Sequence, residues 1–216
     1  VTTTREDAGS GRESRWPPLV ALLLAALLEL SLPGDLILGG GWIRWIIPAL
    51  VVILIVVAAV APLDESDRRR RLGVTLAALV TVANAVAIGE LVYGIVGEAG
   101  FEGKYLIVAA LQVWFTNVIV FAMWFWELDG GGPRHRAFAA PGPQEFLFAQ
   151  YTLPQPWTWR PSFLDYLYLS FSNAVSFAAA DVLPLRHRMK ALMALESILS
   201  LLVILIIAAR AISVLR

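Results

Sequence analysis

Acids inside long apolar runs are the side chains of this sequence best placed to do chemistry. A carboxylate in hydrocarbon is costly, so it is kept where it is used or neutralised. Glu29 stands near the end of one apolar run, Glu90 in the second half of another, and Glu196 near the start of the last. Protons and cations are the natural ligands of such groups. Each acid also has a structural reading. Glu29 can reach the headgroups, Glu90 can hydrogen-bond a neighbouring helix, and Glu196 can be a protonated acid that ties a helix down. Asn84 precedes Glu90 by six residues, which at roughly 100° per residue turns the two about 240° apart on a helix. They therefore face different neighbours.

A second set lies together in the C-terminal half. Asn173 and Ser176 are small polar residues at the end of a short helical stretch, where the helix dipole is negative and favours a cation. They are the candidates for the narrow part of any path, and Phe177, next in line, would obstruct a wide one. Asp181 and Pro184 fix the exit of the segment, and Asp181 serves equally as a structural hydrogen-bond acceptor or an ion-facing group. Catalytic patterns are not found: there is no nucleophile elbow, no phosphate-binding glycine loop and no histidine–acid pair at helical spacing. Enzyme activity is not expected. The chain has no cysteine and two histidines, His135 and His187, each between two arginines in basic clusters suited to headgroup phosphates. Neither a metal site nor a cofactor is expected, and a net charge of zero gives no reason for a nucleic-acid partner.

The elements that must carry these residues are set by composition. Of 216 residues 58% are apolar and 16% charged, with a mean hydropathy of +0.71, whereas soluble domains sit near half apolar and a quarter charged. The excess falls in long runs flanked by several of the eight tryptophans, as interfacial side chains are. The expected fold is an all-α membrane protein with five transmembrane helices and one short re-entrant helix before the last. Residues 1–16 form a disordered polar tail. Residues 17–103 hold three spans, about 17–32, 42–62 and 72–96, with LDESDRRRR (63–71) as a charged loop between the second and third. A secretory signal peptide is the rival reading of 17–32, weakened by Glu29 and by the lack of an A-x-A cleavage site.

Residues 104–216 form a second unit. An outer helix over about 105–127 leads into a proline-rich extramembrane loop, 130–162. Ser162, with Asp165 three residues on and Pro161 just before, starts a helix over about 163–175 that is too short to span. A long helix over about 187–214 follows. The segment YLSFSNAVSFAAADVLP (168–184) aligns without a gap to the pore loop of two-helix potassium-channel modules, close to YFSFVTLTTVGYGDIVP, with Tyr168, Ser170, Phe171, Asp181 and Pro184 coinciding. The last helix resembles the inner helix of such channels, with Glu196 near its start, Ala209 and Arg210 at its end, and Ser200 where a hinge glycine is usual. The resemblance covers roughly residues 163–212.

The filter departs from that pattern. Ser176, Phe177, Ala178, Ala179 and Ala180 stand where the channels carry Thr-Val-Gly-Tyr-Gly. Left-handed backbone costs a residue with a Cβ about 1–2 kcal/mol, so carbonyls arranged to replace a potassium hydration shell are not expected. The whole chain also resembles a family of bacterial multi-pass membrane proteins that brings no known activity with it, through WFTNVIVFAMWFWELDGGGP (114–133), DYLYLSFSNA (165–174) and the Asp-x-x-Pro end of the loop. The pore-loop resemblance implies a homotetramer in the plasma (inner) membrane, with the lipid bilayer as its surroundings and a permeant ion that is not selectively potassium. A non-conducting scaffold or partner-binding protein that keeps the pore-module fold is the alternative, and a secondary transporter is disfavoured by the missing internal repeat. Arginines in the tail, at 68–71 and in the long loop share one side, which the positive-inside rule makes cytoplasmic. That sidedness is opposite to the potassium channels.

Overall fold

A computed structural model describes residues 16–31, 49, 52, 53, 56, 66–96, 103–138, 143–154, 159–177 and 181–214. For 66–69, 94–96, 103–104 and 210–214 it describes the backbone alone. Six α-helices, two short 3-10 turns (Asp129–Gly131 and Ala149–Thr152) and one two-stranded sheet are found among these residues: α1 (Trp16–Leu30), α2 (Ser66–Val96), α3 (Gly103–Leu128), α4 (Pro133–Phe138), β1 (Phe146–Phe148), α5 (Phe163–Ser176), β2 (Val182–Pro184) and α6 (His187–Val214). Three of the helices are long and apolar enough to cross a membrane, over Arg70–Tyr93, Tyr105–Gly131 and His187–Ala209. By length and composition the chain is a membrane protein.

The spans expected at 17–32 and 42–62 stand differently. α1 starts with Pro17 and Pro18 in its first turn, where a missing N–H is harmless. Its 15 residues make about 22 Å, short of the roughly 30 Å of a hydrocarbon core. The run at 42–62 lies almost wholly outside the described residues, as do the tail before Trp16 and Ala178, Ala179 and Ala180. One boundary is corrected. The arginines at 68–71, expected in a loop, continue α2, which begins at Ser66; arginine is a good helix former, and the apolar stretch behind it propagates the helix.

α3 is the axis of the bundle. In its spanning stretch 67% is buried, against 39% for α2 and 28% for α6. α1, α2, α5 and α6 all pack on it. Two groups of buried side chains divide its length: Val120, Phe121, Met123, Phe125 and Trp126 pack with α1, α5 and β1, while Leu106, Ala109, Ala110 and Val113 pack with Ala87, Leu91, Ala174 and Val203.

The long loop is more structured than its prolines suggest, and it adds strands to a chain expected to be all-α. Phe146, Leu147 and Phe148 pair antiparallel with Pro184, Leu183 and Val182. Phe146 and Phe148 alternate inward, both buried, in the period of two that a strand gives. They meet Phe125, Tyr166, Tyr151 and Trp159 edge-on at centroid separations of 5.4–6.5 Å. Three-residue strands carry too little alternation to be visible in the sequence. This long-range strand pairing brings the end of the 177–184 segment back beside the mouth of the bundle.

Candidate functional site

The short helix α5 is positioned at both ends by its own sequence. At its start Asp165 Oδ2 accepts from the backbone N–H of Ser162 at 2.7 Å and from its hydroxyl at 2.8 Å, which satisfies the helix entry the sequence announced. At its end Phe177 takes a left-handed backbone, φ 55 and ψ 22, with its N–H donating to the Asn173 carbonyl at 3.0 Å. Helices commonly end this way, but with glycine. Phenylalanine carries the Cβ penalty of about 1–2 kcal/mol while staying 44% exposed, so little packing offsets the strain.

Against α3 the short helix runs antiparallel and deep. Phe163 meets Trp126 edge-on at 5.9 Å, the Ser170 hydroxyl reaches the Val118 carbonyl at 2.7 Å, and Phe171 meets Trp114 at 5.9 Å. Moving eight residues along α5 therefore retreats twelve along α3, about 18 Å at 1.5 Å per residue. Leu164, Tyr168, Phe171 and Val175 form an exposed stripe along α5, spaced as one face of a helix, with Phe171 at its border against Trp114.

Buried polar side chains join α5 to α6 on the inner face. Glu196, fully buried, contacts Ser170 through Oε1 and accepts from Asn173 Nδ2 through Oε2 at 2.7 Å. The Asn173 amide also donates to the Met193 carbonyl at 2.9 Å, and its Oδ1 accepts from Ser197 at 3.3 Å. One turn further along α6, Ser200 accepts from Asn117 Nδ2 at 3.2 Å, and Asn117 Oδ1 accepts from Asn84 Nδ2 of α2 at 3.0 Å. Asn84, Asn117, Ser170, Asn173, Glu196 and Ser200 are all buried. Four helices thus meet through uncharged groups and one carboxyl.

This arrangement brings together Asn173, Glu196 and Ser200 and keeps the other candidates apart. Asn173 spends its side chain inside the chain. Ser176 and Phe177 are exposed, Ser176 donating back to the Ser172 carbonyl at 2.5 Å. Asp181 is exposed and accepts a long hydrogen bond, 3.3 Å, from the Tyr168 hydroxyl. Glu90 is buried near Glu29 of α1, with which it interacts electrostatically, while Asn84 turns to α3. The helical angle separating these two residues does send them to different neighbours. Ser200, where a hinge glycine was expected by resemblance, is a hydrogen-bonding side chain in the ladder. Among the described residues no group of three or more His, Asp or Glu is placed to hold a metal ion.

A cluster that the sequence did not reveal closes the mouth of the bundle. Asp129, buried, accepts from the Tyr166 hydroxyl and from the Glu145 N–H at 2.7 Å. Arg136, also buried, donates to the Trp126 and Asp129 carbonyls at 2.7 and 2.5 Å and lies 5.0 Å from the Tyr166 ring centre. Its own carbonyl accepts from Arg160. Three glycines with positive φ, Gly130, Gly131 and Gly132, make the reversal from α3 into α4 that aims Arg136 back at α3. The signal available was WELDGGGP followed by arginines, but only the fold pairs it with Tyr166. Burial first, and then the charge of Asp129, pushes the nearby Tyr151 phenol above its usual 10.0 against the opposing pull of Arg136 and Arg160.

No protein-family model matches the chain, and no curated protein or solved structure matches it.

Proposed function

We propose that the chain is a five-span membrane protein of the inner membrane in which α5 enters the bilayer part-way and returns, and that four copies assemble around these short helices as a channel-like pore without potassium selectivity. The observation that carries this is the register of α5 on α3. Its first residue lies at Trp126, near the end of the span, and Phe171 lies at Trp114, near the middle. The chain is nevertheless back beside Phe148 by Val182. A helix of 14 residues, about 21 Å long, followed by five residues reaching at most ~18 Å, fits a descent and return and does not fit a crossing.

The mouth of this loop is the arginine-bearing end. An Arg70 side-chain nitrogen approaches to 3.9 Å of where a Cβ on Gly132 would lie, and Arg134, Arg136, Arg160, Arg186 and Arg188 are in the loop or at the start of α6. The positive-inside rule then has α5 entering from the cytoplasmic face. The filter-equivalent segment, from Ser176 and Phe177 through Ala178, Ala179 and Ala180 to Asp181, offers no glycine, so selective potassium coordination forms no part of the reading.

Purified protein reconstituted in vesicles is expected to pass small ions with little discrimination, and native mass spectrometry to find four copies. Absence of flux for any common ion, or another copy number, removes the pore. Phe177, exposed and bulky at the end of the short helix, favours the second reading, a non-conducting scaffold that binds a partner through this fold. That reading predicts no flux from Phe177→Ala either.

A further inference from the structure

Ser170 has one proton, and the fold asks it for two bonds. Its oxygen lies 2.7 Å from the Val118 carbonyl oxygen and in close contact with Oε1 of Glu196. A carbonyl only accepts, so the Ser170 proton alone can fill the first contact. The second contact then needs a proton of its own. Oε2 of Glu196 does not hold it, because that oxygen faces the Asn173 amide nitrogen at 2.7 Å. The orientation of this amide is fixed: the same nitrogen donates to the Met193 carbonyl at 2.9 Å, and the amide oxygen takes the Ser197 hydroxyl at 3.3 Å.

We infer that Glu196 is a membrane-embedded proton-binding site, a neutral carboxylic acid whose proton sits on Oε1 and donates to Ser170. The surroundings agree with this assignment. Among the described residues its hydrogen-bond contacts are Ser170 and Asn173 of α5, and the groups bonded to these in turn are the Val118 carbonyl of α3 and the Met193 carbonyl and Ser197 of α6. All are uncharged, as are Ser200, one turn along α6 from Glu196, and its partner Asn117. An ionised carboxylate without a cation in such a site is strongly disfavoured.

The proton also decides how α5 is held. When the O–H bond of Glu196 breaks, its electron pair stays on Oε1 and the proton goes to water. Ser170 then turns its own proton to the carboxylate, and the Val118 carbonyl loses its side-chain partner. With the proton bound, Ser170 ties α5 to α3 and α6 together; without it, Ser170 ties α5 to α6 alone. This inference is independent of conduction.

Infrared difference spectroscopy of the full chain in nanodiscs tests it. At neutral pH the wild type is expected to give the carbonyl stretch of a protonated, hydrogen-bonded acid that is missing from Glu196→Gln. A carboxylate stretch lost in its place overturns the proposal. Glu196→Gln can donate to Ser170 and accept from Asn173 as the acid does, so its Tm is expected to match wild type while that of Glu196→Ala falls; equal losses in both overturn it. Should Glu196→Gln fail to fold, Ser170→Ala decides. Removing the acceptor moves the acid band to higher frequency, and an unmoved band refutes the assignment.

Discussion

Asn117 hydrogen-bonds from α3 to both α2 and α6, so its removal is an informative perturbation of the bundle. Its amide accepts from Asn84 at 3.0 Å and donates to Ser200 at 3.2 Å, with no exposure. Side-chain hydrogen bonds between membrane helices average about 0.6 kcal/mol, so the two bonds account for roughly 1.2 kcal/mol. Asn117→Ala also leaves the buried Asn84 amide without its acceptor, a desolvation cost of about 1–3 kcal/mol, giving about 2–4 kcal/mol in all. Asn84→Ala removes one of the same bonds and leaves Asn117 Oδ1 without its donor, but it also takes away the buried Asn84 Oδ1, which has no hydrogen-bond partner among the described residues, and costs about 1 kcal/mol. The double variant has no stranded Asn84 amide and should therefore cost less than Asn117→Ala alone, about 1 kcal/mol for the two lost bonds. A double-mutant cycle read by reversible unfolding in mixed micelles should return a coupling of about 2–4 kcal/mol, at the upper end of the range for contacting residues. Additive losses, or an Asn117→Ala protein as stable as wild type, would mean that the ladder does not hold the helices together.

Three further outcomes follow from single contacts. A Cβ on Gly73 would lie 2.1 Å from Oε1 of the buried Glu127 and must displace that carboxyl. Overpacking of about 1–3 kcal/mol, less the ~1 kcal/mol alanine gains over glycine within a helix, gives an expected loss of up to about 2 kcal/mol for Gly73→Ala, read as a lower unfolding midpoint in the same micelle assay. Phe177→Gly removes the left-handed penalty at an exposed site and should raise stability by about 1 kcal/mol, measured likewise; a loss would mean that the Phe177 ring is packed against a partner. The raised Tyr151 phenol stays protonated in the fold, so the stability it carries is whole below its usual 10.0 and falls as pH rises beyond it. Tyr151→Phe should flatten that alkaline fall, followed by protease susceptibility of the 143–154 segment between pH 9 and 11 (about one unit either side of the phenol).

What was legible in the sequence is what depends on local chemistry. Ser162 and Asp165 define the start of α5 because a cap is made by residues three apart, and the atoms Ser162 N–H and Asp165 Oδ2 do meet. The long apolar stretches gave α2, α3 and α6 for a similar reason, since hydrophobic length is a property of the chain. The arginines at 68–71 read as a loop because charge hides helix propensity when there is no partner in view. Glu196 was visible as an acid, but its partners Ser170 and Asn173 are more than twenty residues away, and nothing in spacing pairs them. The Asp129–Tyr166–Arg136 cluster spans 37 residues between Asp129 and Tyr166 and needs three left-handed glycines to form. Its ingredients were in plain sight as WELDGGGP and its geometry was not.

The inner and outer faces of α5 bear differently on the proposed pore. The inner face is committed to packing: Ser170 and Asn173 are buried against α3 and α6, with their donors and the Asn173 amide oxygen engaged inside the chain. Polar lining for a path between copies must therefore come from elsewhere. The exposed stripe of Leu164, Tyr168, Phe171 and Val175 offers only the Tyr168 hydroxyl, already turned to Asp181. If four copies meet along this stripe they pack through apolar side chains, and the axis is left to the residues after the helix. The carbonyl end of α5 there carries the negative end of its dipole, with Asp181 as the nearest described acid along the chain. Both favour a cation over an anion, so a pore built in this way should be cation-preferring, and Asp181→Asn should weaken that preference. A reversal potential that follows the chloride gradient in reconstituted vesicles would place the path somewhere other than the end of α5.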